Sequence, residues 1–136
     1  MVAELLAEIV KSGANPFDFD ASKADATAKD LLEKEKYFVF LARSNAEAGL
    51  ITMYESHALY TEGTFGTIPE LYVRPEYRSK GVGKMLLETA RAFGISRGWK
   101  RLEVTTPPLP QFERTLRFYE KEGFSISGGR KLKVTL

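Results

Sequence analysis

An α/β fold, one mixed and mainly antiparallel sheet flanked by helices, is predicted by three observations. Short apolar runs of strand length, Tyr37–Arg43 and Thr67–Val73 among them, interrupt segments of helical period. The strongest helical segment follows a strand through a basic turn that carries Gly81 and Gly83. Short strand-like segments then follow Gly98 and Gly123, residues that suit the end of a helix.

Val2, Leu5, Leu6, Ile9 and Val10 share one face at helical spacing, with Gly13 as a natural stop. A looser stretch from Asn15 to Asp20 leads to Ser22, the expected cap of a second helix running to about Lys36. Tyr37–Arg43 reads as a buried strand, Asn45–Gly49 as a turn, and Leu50 to about Tyr60 as a second strand. Gly63–Gly66 reads as another turn and Thr67–Val73 as a third strand, ended by Arg74-Pro75. Val82, Met85, Leu86, Thr89, Ala90 and Phe93 then recur at threes and fours, predicting a helix to about Arg97. Lys100–Val104 is the next strand. Pro107, Pro108 and Pro110 stiffen a link to a helix over Gln111–Lys121. Two last strands, Phe124–Ser127 and Lys131–Leu136, are expected around the turn dipeptide Gly128-Gly129.

With 136 residues, no repeat and no linker-like tract, the sequence reads as a single domain over residues 1–136. There is no cysteine, which removes disulfides, thiolate metal sites and a cysteine nucleophile, and suits a reducing cytoplasm. One histidine without cysteine excludes a histidine-based metal site, so no metal is expected. Twenty basic and 18 acidic residues leave a net charge of +2, no field for nucleic acid or an anionic membrane. No apolar run approaches the roughly 18–20 residues of a membrane span. The first residues intersperse acids among apolar residues, unlike a secretory leader, so a cytoplasmic protein is expected.

The most informative stretch is Leu71 to Lys84, LYVRPEYRSKGVGK. Glycines admit a ligand's phosphates to the backbone N–H groups, and the first helical turn offers unpaired N–H groups at the positive end of a dipole. Arg78, Lys80 and Lys84 add formal positive charge. The residues alone equally fit a plain strand-to-helix turn with solvated charges. Two familiar phosphate loops fail. A P-loop requires glycine where Arg78 stands and Ser or Thr where Met85 stands, and the dinucleotide fingerprint requires glycine at Leu86.

Arg78-Ser79-Lys80-Gly81-Val82-Gly83 resembles the acetyl-CoA signature Q/R-x-x-G-x-G/A of the GNAT superfamily of N-acetyltransferases. Downstream, Phe118-Tyr119-Glu120-Lys121-Glu122-Gly123-Phe124 is similar to that family's (L/F)-Y-x-x-x-G-F segment. The resemblance covers Tyr37 to Leu136. It implies a GNAT-type domain that moves an acetyl or other short acyl group from acetyl-CoA to a primary amine by direct attack. It further implies that the backbone amides of Arg78, Ser79, Lys80, Gly81, Val82, Gly83 and Lys84 bind the pyrophosphate, while Leu71, Tyr72 and Val73 pair with the pantetheine arm. A non-catalytic acyl-CoA-binding module of the same fold is the alternative, and a nucleotide-binding domain a more distant one.

Acyl transfer needs a deprotonated amine, a donor for the thioester oxygen and a proton for the departing thiolate. Tyr119, matching the family tyrosine placed beside the cofactor sulfur, is the candidate acid, and a packing aromatic on a helix is the competing role. Glu70, where relatives often carry an acid that meets the amine, is the candidate base, against an exposed strand carboxylate. The backbone N–H of Tyr72 or Val73 is a candidate donor to the carbonyl. Pro69 lacks a ladder donor and suits a strand that bulges or splays there. His57 lies far from the signature in sequence and has no evident carboxylate partner. Glu55, Glu62 and Glu70 mildly favour a cationic acceptor.

Three departures from the family pattern stand out. Phe112 and the pair Thr105-Thr106 occupy positions where relatives often have asparagine, and the usual first strand is not evident before the first helix. Exposed strand edges leave room for a homodimer.

Overall fold

The computed structural model describes residues 1–12, 19–107, 109 and 112–136. Expectations resting on Gly13, on the start of the Asn15–Asp20 stretch, and on Pro108, Pro110 and Gln111 lie outside those residues. The chain forms two compact units, Met1–Thr105 and Thr106–Leu136.

The first unit opens with α1 (Val2–Lys11) and α2 (Ala21–Glu33). Asp20 caps α2 in place of Ser22: its carboxylate accepts from the N–H groups of Ser22 (3.0 Å) and Lys23 (3.2 Å). The helix stops three residues before Lys36, and Glu35 turns to a left-handed φ of 54°.

Strand β1 (Phe38–Arg43) pairs antiparallel with β2 (Glu47–Ala58), with Phe38 opposite Met53 and Leu41 opposite Leu50. β2 absorbs most of the expected Asn45–Gly49 turn, which shrinks to Ser44–Ala46, closed by Ser44 N–H to Ala46 O at 3.0 Å. The expected turn at Gly63–Gly66 is instead part of β3 (Gly63–Ile68), antiparallel to β2. The chain reverses earlier, through a 3₁₀ turn at Leu59–Thr61 and left-handed Glu62. Gly66 serves close approach, not turning: a Cβ there would fall 2.4 Å from the buried Trp99 ring.

The expected strand Thr67–Val73 is divided. β3 ends at Ile68, and β4 (Leu71–Val73) pairs with β2 alone. The register shows why. Thr67 faces Tyr54 and Leu71 faces Ile51, so Ile68, Pro69 and Glu70 stand against only Thr52 and Met53. One extra residue makes a β-bulge, at the proline that cannot donate to the ladder. Before it, β3 pairs in parallel with β5 (Leu102–Val104); beyond it, β4 does not. The sheet is therefore mixed, mainly antiparallel, and splayed beside β4.

Helix α3 (Val82–Ser96) buries Leu86, Leu87, Ala90 and Gly94 against β1, β2 and β4. Ile51, Met53, Ile68 and Leu87 are the largest fully buried side chains of the core. Phe38 and Phe40 pack on Phe93 of α3 at 4.9 and 5.3 Å between centroids, and Trp99 meets Phe93 at 5.4 Å.

The second unit contains α4 (Glu113–Lys121), followed by Gly123 at a φ of 92°. The strands expected at Phe124–Ser127 and Lys131–Leu136 do not form, and no strand occurs among residues 112–136. Their alternation is present, but a strand also needs a ladder partner. Leu132, Val134 and Leu136 instead lie in solvent beside the exposed basic residues Arg130, Lys131 and Lys133.

Candidate active site

From β4 the chain passes through a 3₁₀ turn at Pro75–Tyr77, then an extended Arg78, into α3. Ser79 and Gly81 both take left-handed backbone, with φ of 59° and 81°. Such a conformation costs a serine energy and a glycine almost none, so strain is stored at Ser79. The first helical bond runs from Met85 N–H to Gly81 O at 3.0 Å, which leaves the N–H groups of Val82, Gly83 and Lys84 outside the helix ladder. No side chain caps them. A Cβ on Gly81 would meet no atom within 4 Å, so the loop borders open space. Exposed donors, dipole and room fit an anionic group.

The cations around the loop have separate duties. Arg78 donates from Nη2 to both carboxylate oxygens of Glu8 on α1 at 2.9 Å, and from Nε to Val73 O at 2.8 Å. Arg74 is held by Glu4, also on α1, at 3.1 and 3.2 Å, and by Glu47 O at 2.9 Å. That hydrogen bond keeps the Glu4 carboxyl below its usual value. The Tyr72 hydroxyl donates to Glu8 at 3.0 Å, and burial together with that carboxylate pushes its phenol up to about 12. Both arginines thus fasten α1 to the signature strand and loop. Lys80 lies 5.9 Å over the Tyr77 ring, and Lys84 makes only a loose 4.0 Å pair with Glu88.

Along β4, antiparallel alternation decides which groups face outward. Thr52 N–H donates to Glu70 O and Arg74 N–H donates to Ala48 O, each at 2.9 Å. With Leu50 opposite Tyr72, the Tyr72 N–H therefore points into the β2 ladder, and those of Leu71 and Val73 point to the splayed side. Of the two backbone donors considered for the carbonyl, Val73 is the one turned outward.

Glu70, half-buried at the bulge, has its side-chain hydrogen-bonding neighbours just before β1 and on β2. The hydroxyls of Tyr37 and Thr52 donate to its Oε2, and its own N–H donates to Thr52 Oγ1 at 3.1 Å. Tyr54 stacks on Tyr37 at 6.4 Å between centroids. Burial and the Glu70 carboxylate drive the Tyr37 phenol above its ordinary value. Sequence reasoning overlooked Tyr37 and Thr52, because only the strand register and the extra residue of the bulge set them beside Glu70.

Glu55, counted earlier toward a cationic acceptor, is occupied by Arg97 Nε at 2.6 Å and Trp99 Nε1 at 2.9 Å, which lower its carboxyl. Glu62 lies exposed in the β2–β3 turn. His57 Nδ1 meets Thr64 Oγ1 at 3.1 Å, a cross-strand contact.

In the second unit Tyr119 is buried on α4 between Phe118 and Phe124, at 5.3 and 5.4 Å. Burial raises its phenol above the ordinary value, so it remains protonated well into the alkaline range. That direction moves it away from an even match with an alkyl thiol and toward hydrogen-bond donation. Among the described residues no His, Cys, Asp and Glu gather as a metal site, and no helix is long and apolar enough to cross a membrane.

A splayed mixed sheet whose bulged strand feeds a glycine turn and a long helix is the fold of the GNAT acyltransferases. A relative from Salmonella typhimurium, aminoalkylphosphonate N-acetyltransferase, is 28% identical over 98% of this chain and 82% of its own length. The crystal structure of ribosomal-protein-alanine N-acetyltransferase from Brucella melitensis biovar Abortus superposes with a TM-score of 0.69 at 22% identity, covering 98% of this chain and 90% of that one. The structure of AAC(6')-Iy, in complex with the bisubstrate analog CoA-S-monomethyl-acetylneamine, gives a TM-score of 0.76 at 17% identity, covering 88% and 82%. The acetyltransferase (GNAT) domain matches residues 33–126, and the chain belongs to that family.

Proposed function

We propose that this chain transfers an acetyl group from acetyl-CoA to a primary amine, by direct attack in a ternary complex. The observation that carries the reading is the uncapped start of α3 at left-handed Gly81, opening beside the outward-facing edge of β4. The Val82, Gly83 and Lys84 amides and the Arg78–Gly81 backbone are suited to a diphosphate, with Lys80 and Lys84 as its cations. The outward edge of β4, Leu71–Val73, suits an extended pantetheine arm, laid along the strand as in β-augmentation. The thioester supplies an activated acyl group when bound, and the remaining work falls to the protein. Val73 N–H serves as donor to the acyl oxygen, Glu70 accepts the amine proton, and Tyr119 donates to the departing sulfur.

The neighbour complexed with a CoA analog supports the choice of cofactor, and the family match, running across the junction of the two units, supports one domain over residues 1–136. The absence of cysteine suits a reducing cytoplasm. A second copy could pair with β1, which ends the sheet, to give a homodimer.

The test is free-thiol release from acetyl-CoA with a panel of amines, alongside thermal shift with acetyl-CoA and with ATP. Turnover with at least one amine is expected. A melting shift with acetyl-CoA and no turnover would make the chain a binding module, and no shift at all would remove the loop assignment.

A further inference from the structure

Glu70 stands apart from the other carboxylates near the sheet. Glu4, Glu8 and Glu55 each face an arginine, whereas no cation lies within ion-pair distance of Glu70 among the described residues. Its partners are two neutral hydroxyls, Tyr37 and Thr52, and both reach the same oxygen, Oε2. Thr52 is buried and is itself tied to Tyr37 at 3.2 Å and to the Glu70 N–H. Both bonds to the carboxylate end on Oε2 and leave Oε1 able to accept.

The surroundings suit a positive guest. Phe38 and Phe40 point to α3, so Tyr37 belongs to the opposite face of the sheet, and the register carries it across from Tyr54. The two rings lie nearly parallel, 14° apart, with the Tyr37 hydroxyl on Glu70, and Tyr54 is partly exposed. Tyr37 is hydrogen-bonded to the carboxylate, Tyr54 stacks on Tyr37, and Thr67, opposite Tyr54, is neutral. A half-buried anion without a counter-ion, next to aromatic faces, attracts an ammonium group both by charge and by cation–π interaction.

We infer that Tyr37 and Thr52 are positioning residues for Glu70, their hydroxyls holding one carboxylate oxygen so that the other receives an acceptor arriving as an alkylammonium against the Tyr37–Tyr54 pair. This rests on the reading of Glu70 as the residue that meets the acceptor. The proton step balances simply: the ammonium nitrogen gives one proton to Oε1, leaving a neutral amine and a protonated carboxyl, which returns the proton to solvent after transfer. An aryl amine, uncharged near neutrality, gains nothing from this arrangement.

The experiment measures binding of n-butylammonium at pH 7 to the full chain saturated with coenzyme A, by ligand line-broadening in NMR spectra, with aniline as the uncharged comparison. Saturable binding of n-butylammonium, tighter than that of aniline, is expected. Glu70→Gln abolishes it, Tyr37→Phe and Thr52→Val each weaken it about tenfold, and Thr52→Ser restores it. Tyr37→Phe in the Glu70→Gln background has no further effect, and coenzyme A affinity stays constant throughout.

Loss with Glu70→Gln but not with Tyr37→Phe or Thr52→Val would overturn the positioning role and leave the Glu70 reading standing. Equal loss of coenzyme A affinity in the Tyr37 and Thr52 variants would assign them to the fold instead. Wild-type protein that ignores n-butylammonium, or a Glu70→Gln variant that still binds it, ends both.

Discussion

Replacing Arg78 and Glu8 by alanine, singly and together, asks whether the signature arginine acts on the cofactor or through α1. The structure sets the sizes. Arg78 and Glu8 side chains are 44% and 38% exposed, so water and salt screen the pair. Exposed pairs contribute about 0.2–1 kcal/mol, and contact with both oxygens plus the Tyr72 hydroxyl puts this one toward the upper end. An effect of that size changes an equilibrium by less than about fivefold. A guanidinium bound directly to a phosphate contributes about 1.5–3 kcal/mol, and its loss weakens binding roughly ten- to a hundredfold. Calorimetric titration with acetyl-CoA separates the cases. Arg78→Ala, Glu8→Ala and the double variant are expected to weaken binding by less than about fivefold, to a similar extent and without adding. A tenfold or larger loss in Arg78→Ala, with Glu8→Ala unchanged or tighter, would refute the reasoning, since Glu8 would then be competing for a phosphate ligand.

Three other outcomes follow from named contacts. Gly49→Ala would place a Cβ 2.6 Å from the backbone oxygen of Tyr72 and 3.3 Å from Leu86 Cδ1. The carbonyl cannot move without β4, so a loss of about 1–3 kcal/mol in urea unfolding and weaker acetyl-CoA binding are expected, and an unchanged midpoint would disprove the tight backing of β4. Tyr119→Phe should lower kcat while sparing acetyl-CoA affinity, and because burial raises the phenol, the wild-type rate should show no alkaline fall from Tyr119 below about pH 10; wild-type turnover in the variant at pH 7–9 would exclude it. Tyr72 has a folded value of about 12 against about 10 when unfolded, so its stabilising effect is complete below about pH 10 and is lost as pH climbs toward 12. Urea midpoints from pH 8 to 11 should fall less steeply in Tyr72→Phe, though Tyr37 and Tyr119, raised in the same direction, keep part of the slope.

Much of the candidate site was legible because its signals are local. A strand ending at Arg74-Pro75, a glycine able to take φ of 81° and the 3.6-residue period from Val82 onward all lie within one stretch of chain, and the structure bears out the strand-to-helix turn they describe. Pro69 was likewise a sound pointer to the bulge. The misreadings came where one residue type serves two ends. Gly66 looked like a turn glycine but makes room for Trp99, and the alternation of Lys131–Leu136 looked like a strand where no ladder partner is present.

The sequence by itself determined the helix periods, the helix entry at Gly81 and the residue types available for chemistry, since each depends on backbone sterics and neighbours a few positions away. Only the tertiary structure decided that Arg78 turns to Glu8, 70 positions earlier, and that Glu70 meets Tyr37 and Thr52. It also decided that β4 leaves the β3–β5 ladder with its outer amides open. The reason is pairing register. Sliding a strand by one residue reverses every face it presents, and no local preference can fix that choice before distant segments meet.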